Sequence, residues 1–365
     1  MKANKNDNII VINLGSDLVI PKMEERKVRN KEYISYGDKN AYPQFLWSLY
    51  NDCADHQSIV DGLVLYTIGG GIKSTNPKVQ ALFNKVNDDD ETIDDLMKRV
   101  LLDYFIFGGM SMQIVPNRLG DLSKLYWTDF MNCRVNEEET FVYYSKEWGR
   151  WSVDAKVYEL FDGKKDESGK VKSKIHYFKG NKTRGIYPIC HYNAAIRALM
   201  TSVEIDNFHL NNIQNGFQAS TIINFNNGEP DETTKKEIED KLEEKFVGTS
   251  GQKHMISFNE NKDNAVTVEK LDADNFDEKF NALQKTVQNT IFTAHKVTSP
   301  ALFGIKMENT GFSETEFKEA FKIFNETIIK SYQKTTISEL TKVLRPFFGT
   351  DLGLSIEPYN IDFNE

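Results

Sequence analysis

The sequence predicts an α+β chain in which long amphipathic helices frame two small β-containing regions, and three features carry that expectation. Apolar residues recur at helical spacings near 91–107, 192–217, 275–296 and 313–346. From 122 to 180, aromatic and β-branched runs such as Phe141-Val142-Tyr143-Tyr144 alternate with short polar or Gly-containing segments, which marks a small antiparallel β region. A β-α-β-β pattern at 218–272 lies between two of the helices.

The bulk properties bound the function. The 365 residues carry 45 Lys and Arg against 54 Asp and Glu, a formal net charge of −9. Such a chain is soluble and mildly acidic, a poor nonspecific binder of phosphate. With 24 Phe, 15 Tyr and only 9 Pro it can build a core. Its length suits two or three domains or one elongated subunit of several parts. The first residues, MKANKNDNIIVINLGSDLV, lack the apolar stretch of a secretory signal. The longest uncharged segment, Asn207 to Gly228, is rich in Asn and Gln and does not read as a membrane span. Cys53, Cys133 and Cys190 are odd in number and far apart, which fits a reducing compartment better than a disulfide scaffold or a zinc site.

The elements follow in order. Residues 44–68 read as one helix carrying Leu46, Leu49, Ile59 and Leu63, closed by Gly69-Gly70-Gly71. A second, near 91–107, has the stripe Ile93, Met97, Val100, Leu101, Tyr104 and Phe107 and ends at Gly108-Gly109, before a strand over 111–115. The segment Asp162 to Lys174 has the composition of a solvated hairpin loop. Tyr192 to Phe217 forms one long amphipathic helix with Ile196, Leu199, Val203, Leu210 and Ile213 on one face. The module after it comprises a strand over 220–225, a charged helix near 231–247 and strands at 255–258 and 266–271. A helix over 275–296 follows, with Phe276, Phe280, Leu283, Val287 and Ile291 in its stripe. Residues 297–312 contain Pro300, Gly304 and Gly311 and form an irregular connection. Ser313 and Glu316 then match a capping box that starts a helix of about eight turns, ended by Arg345-Pro346.

No catalytic constellation emerges. Ser331-Tyr332-Gln333-Lys334 matches a Ser-x-x-Lys pattern without its partner motifs and lies inside the long helix. The Gly69-Gly71 triplet follows a helix and lacks the Gly-Lys-Ser/Thr ending of a phosphate loop. His56, His176, His191, His209, His254 and His295 include no pair at the spacing of ligands on one helix face, so each reads as an isolated core or surface residue. The run Asp88-Asp89-Asp90-Glu91 suits helix capping better than a cation. Basic residues cluster at 26–31 and from Lys164 to Arg184, where solvated loops and local phosphate contact are equally open. No catalytic residue, metal ligand or cofactor is expected.

The order of helix, inserted α/β module, helix, Pro/Gly loop and long capped helix resembles that of tailed-bacteriophage portal proteins. Tyr42-Pro43-Gln44-Phe45-Leu46, His56-Gln57-Ser58-Ile59-Val60 and the Gly triplet are similar to the portal amino-terminal region. Asp103 to Gly109 resembles its "D-x-x-x-x-G" helix end, and Asn215-Gly216-Phe217 ends the first stem-like helix. Ser299-Pro300-Ala301-Leu302-Phe303-Gly304 with Gly311-Phe312-Ser313 resembles the loop between the second stem helix and the long wing helix. The similarity spans about residues 40–345.

The resemblance implies a portal fold with an α/β wing over 1–190, stem helices over 191–217 and 275–296, and a clip over 218–272. The tunnel loop is then 297–312, the long wing helix 313–346 and a short tail 347–365, with a crown absent or minimal because nineteen residues follow Pro346. It implies a non-enzymatic ring, usually dodecameric, at one capsid vertex of a virion assembled in the bacterial cytoplasm. Double-stranded DNA passes its channel. Its partners are copies of itself, the major capsid protein, the terminase large subunit and head-tail adaptors, with no membrane. Lys296 and Lys306 are the expected channel contacts, with Pro300, Gly304 and Gly311 shaping the loop. The alternatives are another head-tail connector ring and, from a different class, a carboxylate- or metal-dependent hydrolase whose groups only folding assembles.

Overall fold

The computed structural model describes residues 9–12, 21–28, 31–148, 153–163, 173–180, 185–214, 222–225, 231, 233–234, 236–237, 254–258, 276–305 and 314–359. They fall in two compact units, one formed by 21–200 with 288–365 and the other by 1–20 with 201–287.

The larger unit begins with helices α1 (Tyr42–Asp52) and α2 (Ala54–Ile68), where one helix over 44–68 was expected. The break is Cys53, extended at φ −110°. It follows Asn51 and Asp52, short polar residues that compete with the helical backbone, and Asn51 donates to the Trp47 carbonyl at 2.8 Å. Helix α3 (Pro77–Asn84) is capped by the Asn76 side chain, which accepts from the Lys78 N–H. Helix α4 (Ile93–Phe107) starts at a Thr92/Asp95 capping box. The acidic run before it is neutralised by cations instead: Lys124 pairs with Asp88, Lys85 with Asp90 and Arg99 with Glu91. Gly108 ends α4 in the left-handed region at φ 81°, and a Cβ there would lie 2.7 Å from the Ile189 carbonyl oxygen.

A six-stranded sheet packs beside α4, in the order β6 (Leu122–Trp127), β5 (Gly109–Pro116), β10 (Lys174–Lys179), β9 (Lys156–Leu160), β8 (Phe141–Tyr144), β7 (Cys133–Val135). All pairs are antiparallel except β9 with β10, which run parallel with Glu159 opposite Lys174. The expected hairpin between them is therefore corrected, since a tight hairpin joins only antiparallel strands. Met110, Met112 and Ile114 of β5 lie buried in the core of this unit with Leu101, Phe105 and Phe107 of α4.

The long carboxyl-terminal helix departs from regularity in its middle. Helices α7 (Glu314–Phe324) and α8 (Lys330–Phe348) are joined by a π turn over Asn325–Ile329. One extra residue per turn shifts the apolar stripe, so Ile329 is fully buried where Ile328 was expected. Pro346 does not stop the helix, which runs on to Phe348. Near a terminus few carbonyls lose a donor, and a proline is cheaper there than in the interior. The tail then returns as β13 (Leu354–Glu357), antiparallel to β4 (Gly71–Ser74) with Ile356 opposite Ile72.

In the smaller unit a three-stranded sheet has the order β1 (Ile9–Ile12), β12 (His254–Phe258), β11 (Ile222–Phe225). Strands β11 and β12 are parallel, and β1 adds antiparallel with Ile10 opposite Ile256. Strand β1 thus pairs within the inserted module, although the amino-terminal residues were grouped with 1–190. The expected strand 266–271 lies outside the described residues. Among the described residues this unit holds the greater part of α5 (Ile196–Gln214) and the first part of α6 (Phe276–His295), whose Phe208 and Phe280 rings stack 5.0 Å apart.

Arg134 of β7 is fully buried without a carboxylate hydrogen-bonded to it. Its guanidinium donates to both the side-chain and backbone oxygens of Asn40 and to the carbonyls of Met131 and Cys133. It also faces the Trp148 ring at 4.9 Å and the Tyr36 ring at 5.6 Å. Arg134→Met takes the guanidinium donors away from the Met131, Cys133 and Asn40 carbonyls and is expected to cost about 3 kcal/mol in urea unfolding. Asp88→Asn, at an exposed ion pair, is expected to leave the midpoint unmoved.

Asp103 of α4 is buried and accepts from Trp127 Nε1 at 2.8 Å and the Phe130 N–H at 3.0 Å. Burial, reinforced by the Asp129 carboxylate, pushes its carboxyl well above the usual range. An acid raised on folding contributes stability that is complete below about pH 4 and is lost as pH rises through the raised value. Asp103→Asn keeps the acceptor and removes this loss. In urea unfolding across pH, its stability is expected to gain on wild type as pH rises above about 4, by up to about 1.4 kcal/mol per unit of pH, until the raised value is passed.

Candidate functional site

Helix α6 ends at His295, and Lys296 takes the left-handed conformation at φ 58°. The Lys296 N–H donates to the Thr293 carbonyl at 3.1 Å and the Val297 N–H to the Phe292 carbonyl at 3.0 Å. These paired bonds make a Schellman motif, whose left-handed position ordinarily holds glycine. A lysine there costs about 1 kcal/mol of backbone energy, and its side chain is exposed.

The chain then turns through a short 3-10 segment, Pro300–Phe303, and repeats the device. Gly304 is left-handed at φ 72°; its N–H donates to the Ala301 carbonyl and that of Ile305 to the Pro300 carbonyl. Pro300 thus opens the turn and Gly304 closes it. The turn is seated on α2 by two hydroxyls, with Ser58 donating to the Phe303 carbonyl and Tyr66 to the Leu302 carbonyl, each at 2.6 Å. The Phe303 ring meets Phe324 edge-on at 5.5 Å and lies against Gly62, where a Cβ would come within 2.5 Å of it. Thr298 donates to the Ala320 carbonyl of α7 at 3.3 Å, so the loop is tied to two helices.

Three histidines read from the sequence as isolated converge at the same helix end. His295 Nε2 lies 3.0 Å from His56 Nδ1, and His295 Nδ1 lies 2.9 Å from His191 Nε2. They come from α6, α2 and the segment before α5, with sequence separations of 239 and 104 residues. No local spacing could have signalled the group. Likewise His176 Nε2 meets Glu339 Oε2 at 3.1 Å, joining β10 to α8. Burial pushes the Glu339 carboxyl up, but hydrogen bonds from His176 and Lys342 outweigh it and hold the group below its ordinary value.

Of the other residues singled out, Lys306, Gly311 and Ser313 lie outside the described residues. Glu316 is exposed in the first turn of α7. In the basic segment 26–31, Arg26 pairs with Glu24 and Lys27 with Glu137 at 3.1 Å. Among the described residues no three His, Cys, Asp or Glu side chains are placed to hold a metal ion. No described helix is long and apolar enough to cross a membrane.

The loop seat is testable. Gly62→Ala raises helix propensity yet drives a methyl into the Phe303 ring, so it is expected to destabilise by about 1–3 kcal/mol and to speed hydrogen exchange across 300–305. Leu65→Ala, on the exposed face of α2, is expected to leave that exchange unchanged.

Comparison with known proteins gives the same architecture. The chain in the neck of a native gene transfer agent particle, computed with C12 symmetry, superimposes with a TM-score of 0.55 at 14% identity, covering 86% of this chain and 84% of that one. The corresponding chain in the neck of an empty particle, computed with C6 symmetry, gives 0.57 at 14% identity over 87% and 85%. No curated protein matches in sequence. The family model for phage portal protein matches residues 62–364. It takes in the last part of α2, the six-stranded sheet, both helices flanking the inserted module, the seated loop and the long π-interrupted helix, and the chain belongs to the phage portal protein family, whose members are structural components of a ring at a capsid vertex.

Proposed function

We propose that twelve copies of this chain close into the portal ring through which double-stranded DNA enters and leaves the capsid. In this reading 1–190 and 313–346 form the wing, 191–217 and 275–296 the stem, 218–272 the clip and 297–312 the tunnel loop. The terminase large subunit docks on the ring during packaging, the major capsid protein surrounds it, and head-tail adaptors later meet the clip. The observation that carries the reading is the family match over 62–364. The C12 symmetry with which the similar neck was computed supports the copy number.

The charge balance suits a conduit. A subunit of net charge −9 repels phosphate overall, so DNA can slide without strong binding. Lys296 and Lys306 then supply brief phosphate contacts, and ring symmetry repeats each charge around the bore. The loop geometry supports Lys296 in that role: its backbone adopts the conformation that favours glycine, yet the position carries a long exposed cation.

Negative-stain electron microscopy with mass measurement of the purified chain is expected to show closed rings with a central hole. A persistent monomer, even with capsid partners present, overturns the proposal. Lys296→Glu and Lys306→Glu are each expected to leave ring assembly intact and to lower packaged DNA by about tenfold. Unchanged packaging removes that lysine from the mechanism.

A further inference from the structure

We infer that His56, His191 and His295 form an acid-released latch, holding the end of α6 and the loop that follows it on α2 while the three rings are neutral and letting that end go when they take up protons. The inference stands on geometry. His295 is the middle member, and both of its ring nitrogens are used, one toward each neighbouring imidazole. Every N···N hydrogen bond needs one nitrogen that carries a proton and one that is bare. A neutral chain satisfies both bonds in either direction. One added proton can still be placed, on His295, if both neighbours accept. A second proton cannot, because it sets two N–H groups against each other in one of the bonds.

The surroundings offer a charged chain little help. His56 and His295 are buried, and among the described residues neither has a carboxylate on a ring nitrogen: both His295 nitrogens face imidazoles and His56 Nε2 has no hydrogen-bond partner. The Tyr192 ring stacks on His295 at 5.2 Å and meets His56 edge-on at 4.3 Å, and Tyr50 lies edge-on to His56. In the segment before α5, Cys190 precedes His191 in sequence, and α4 brings the apolar, non-titrating Phe105 ring edge-on to His191. On α2, Asp55 accepts from Gln288 of α6 and Asp61 from Tyr50 of α1. Lys296, next to His295, is the nearest cation along the chain and disfavours a further positive charge. Burial accordingly lowers both His56 and His295, the latter to about 3.

The sign follows from linkage. A base whose folded value is depressed contributes stability present above its unfolded value, near 6.5, and lost as pH falls below it. The proton uptake is local to the latch, so the loss falls on the opening of residues 296–305 before the rest of the larger unit. Lys296 and the seated turn are the segment it controls.

Hydrogen–deuterium exchange of the full-length protein at pH 7.5 and pH 5.0, corrected for the intrinsic pH dependence of exchange, tests this. Protection at 296–305 is expected to fall about thirtyfold for one histidine that charges on opening and about a thousandfold for two. Protection in α4 is expected to hold. In His295→Gln, whose side chain both donates and accepts without taking a proton, the fall at 296–305 is expected to shrink at least tenfold. If wild-type protection there does not change relative to α4, or if His295→Gln falls as far as wild type, the latch is overturned. Should His295→Gln not fold, His191→Gln, at a ring only half-buried, makes the same comparison, and the wild-type pair of measurements decides by itself.

Discussion

Helix α2 is buried on nearly every side, and the larger unit is arranged by what that burial demands. A helix in such a position needs packing or hydrogen-bond partners over most of its surface. Ile59, Val60 and Leu63 meet the core; Ser58 and Tyr66 turn their hydroxyls to carbonyls of the 300–303 turn; and Gly62 gives up its side chain so that Phe303 can approach. The amino-terminal end of α2 contributes His56 to the histidine chain, and its carboxyl-terminal end runs into β4, which recruits the returning tail. The loop after α6 is thereby held by a helix far from it in sequence.

The buried polar groups follow one rule, that a charge removed from water must be met by fixed dipoles, a counter-charge or loss of the charge. Arg134 is met by carbonyls and aromatic faces, Glu339 by His176 and Lys342, and Asp103 by two donors together with a raised carboxyl. His56 and His295 meet it by a lowered affinity for the proton. Each device ties together elements distant in sequence, so these residues fix the relative placement of α2, α4, α8 and the sheet as much as the apolar core does.

For a structural ring component, this division of labour has a consequence. Firmly seated segments flank the loop, with Schellman motifs at Lys296 and Gly304 on either side of the 300–303 turn. A loop anchored this way at its base presents an exposed cation without fraying the helix behind it.

The sequence by itself determined several of the helices, because period and breakers are local. The helix near 91–107 with its stop at Gly108, the extent of α6 and the break at Pro300 and Gly304 were legible in short windows. The portal family was legible too, from the order of elements and from motifs such as Ser299 to Gly304. What it could not yield depended on contacts across the chain. The π turn that exchanges Ile328 for Ile329, the parallel pairing of β9 with β10, the helix running past Pro346 and the strand at 354–357 are each chosen by the surface they pack on. The histidines show the limit most plainly. Three residues with no informative spacing became one chain only when α2, α6 and the segment before α5 met, because hydrogen bonds depend on distance in space and sequence patterns report distance along the chain.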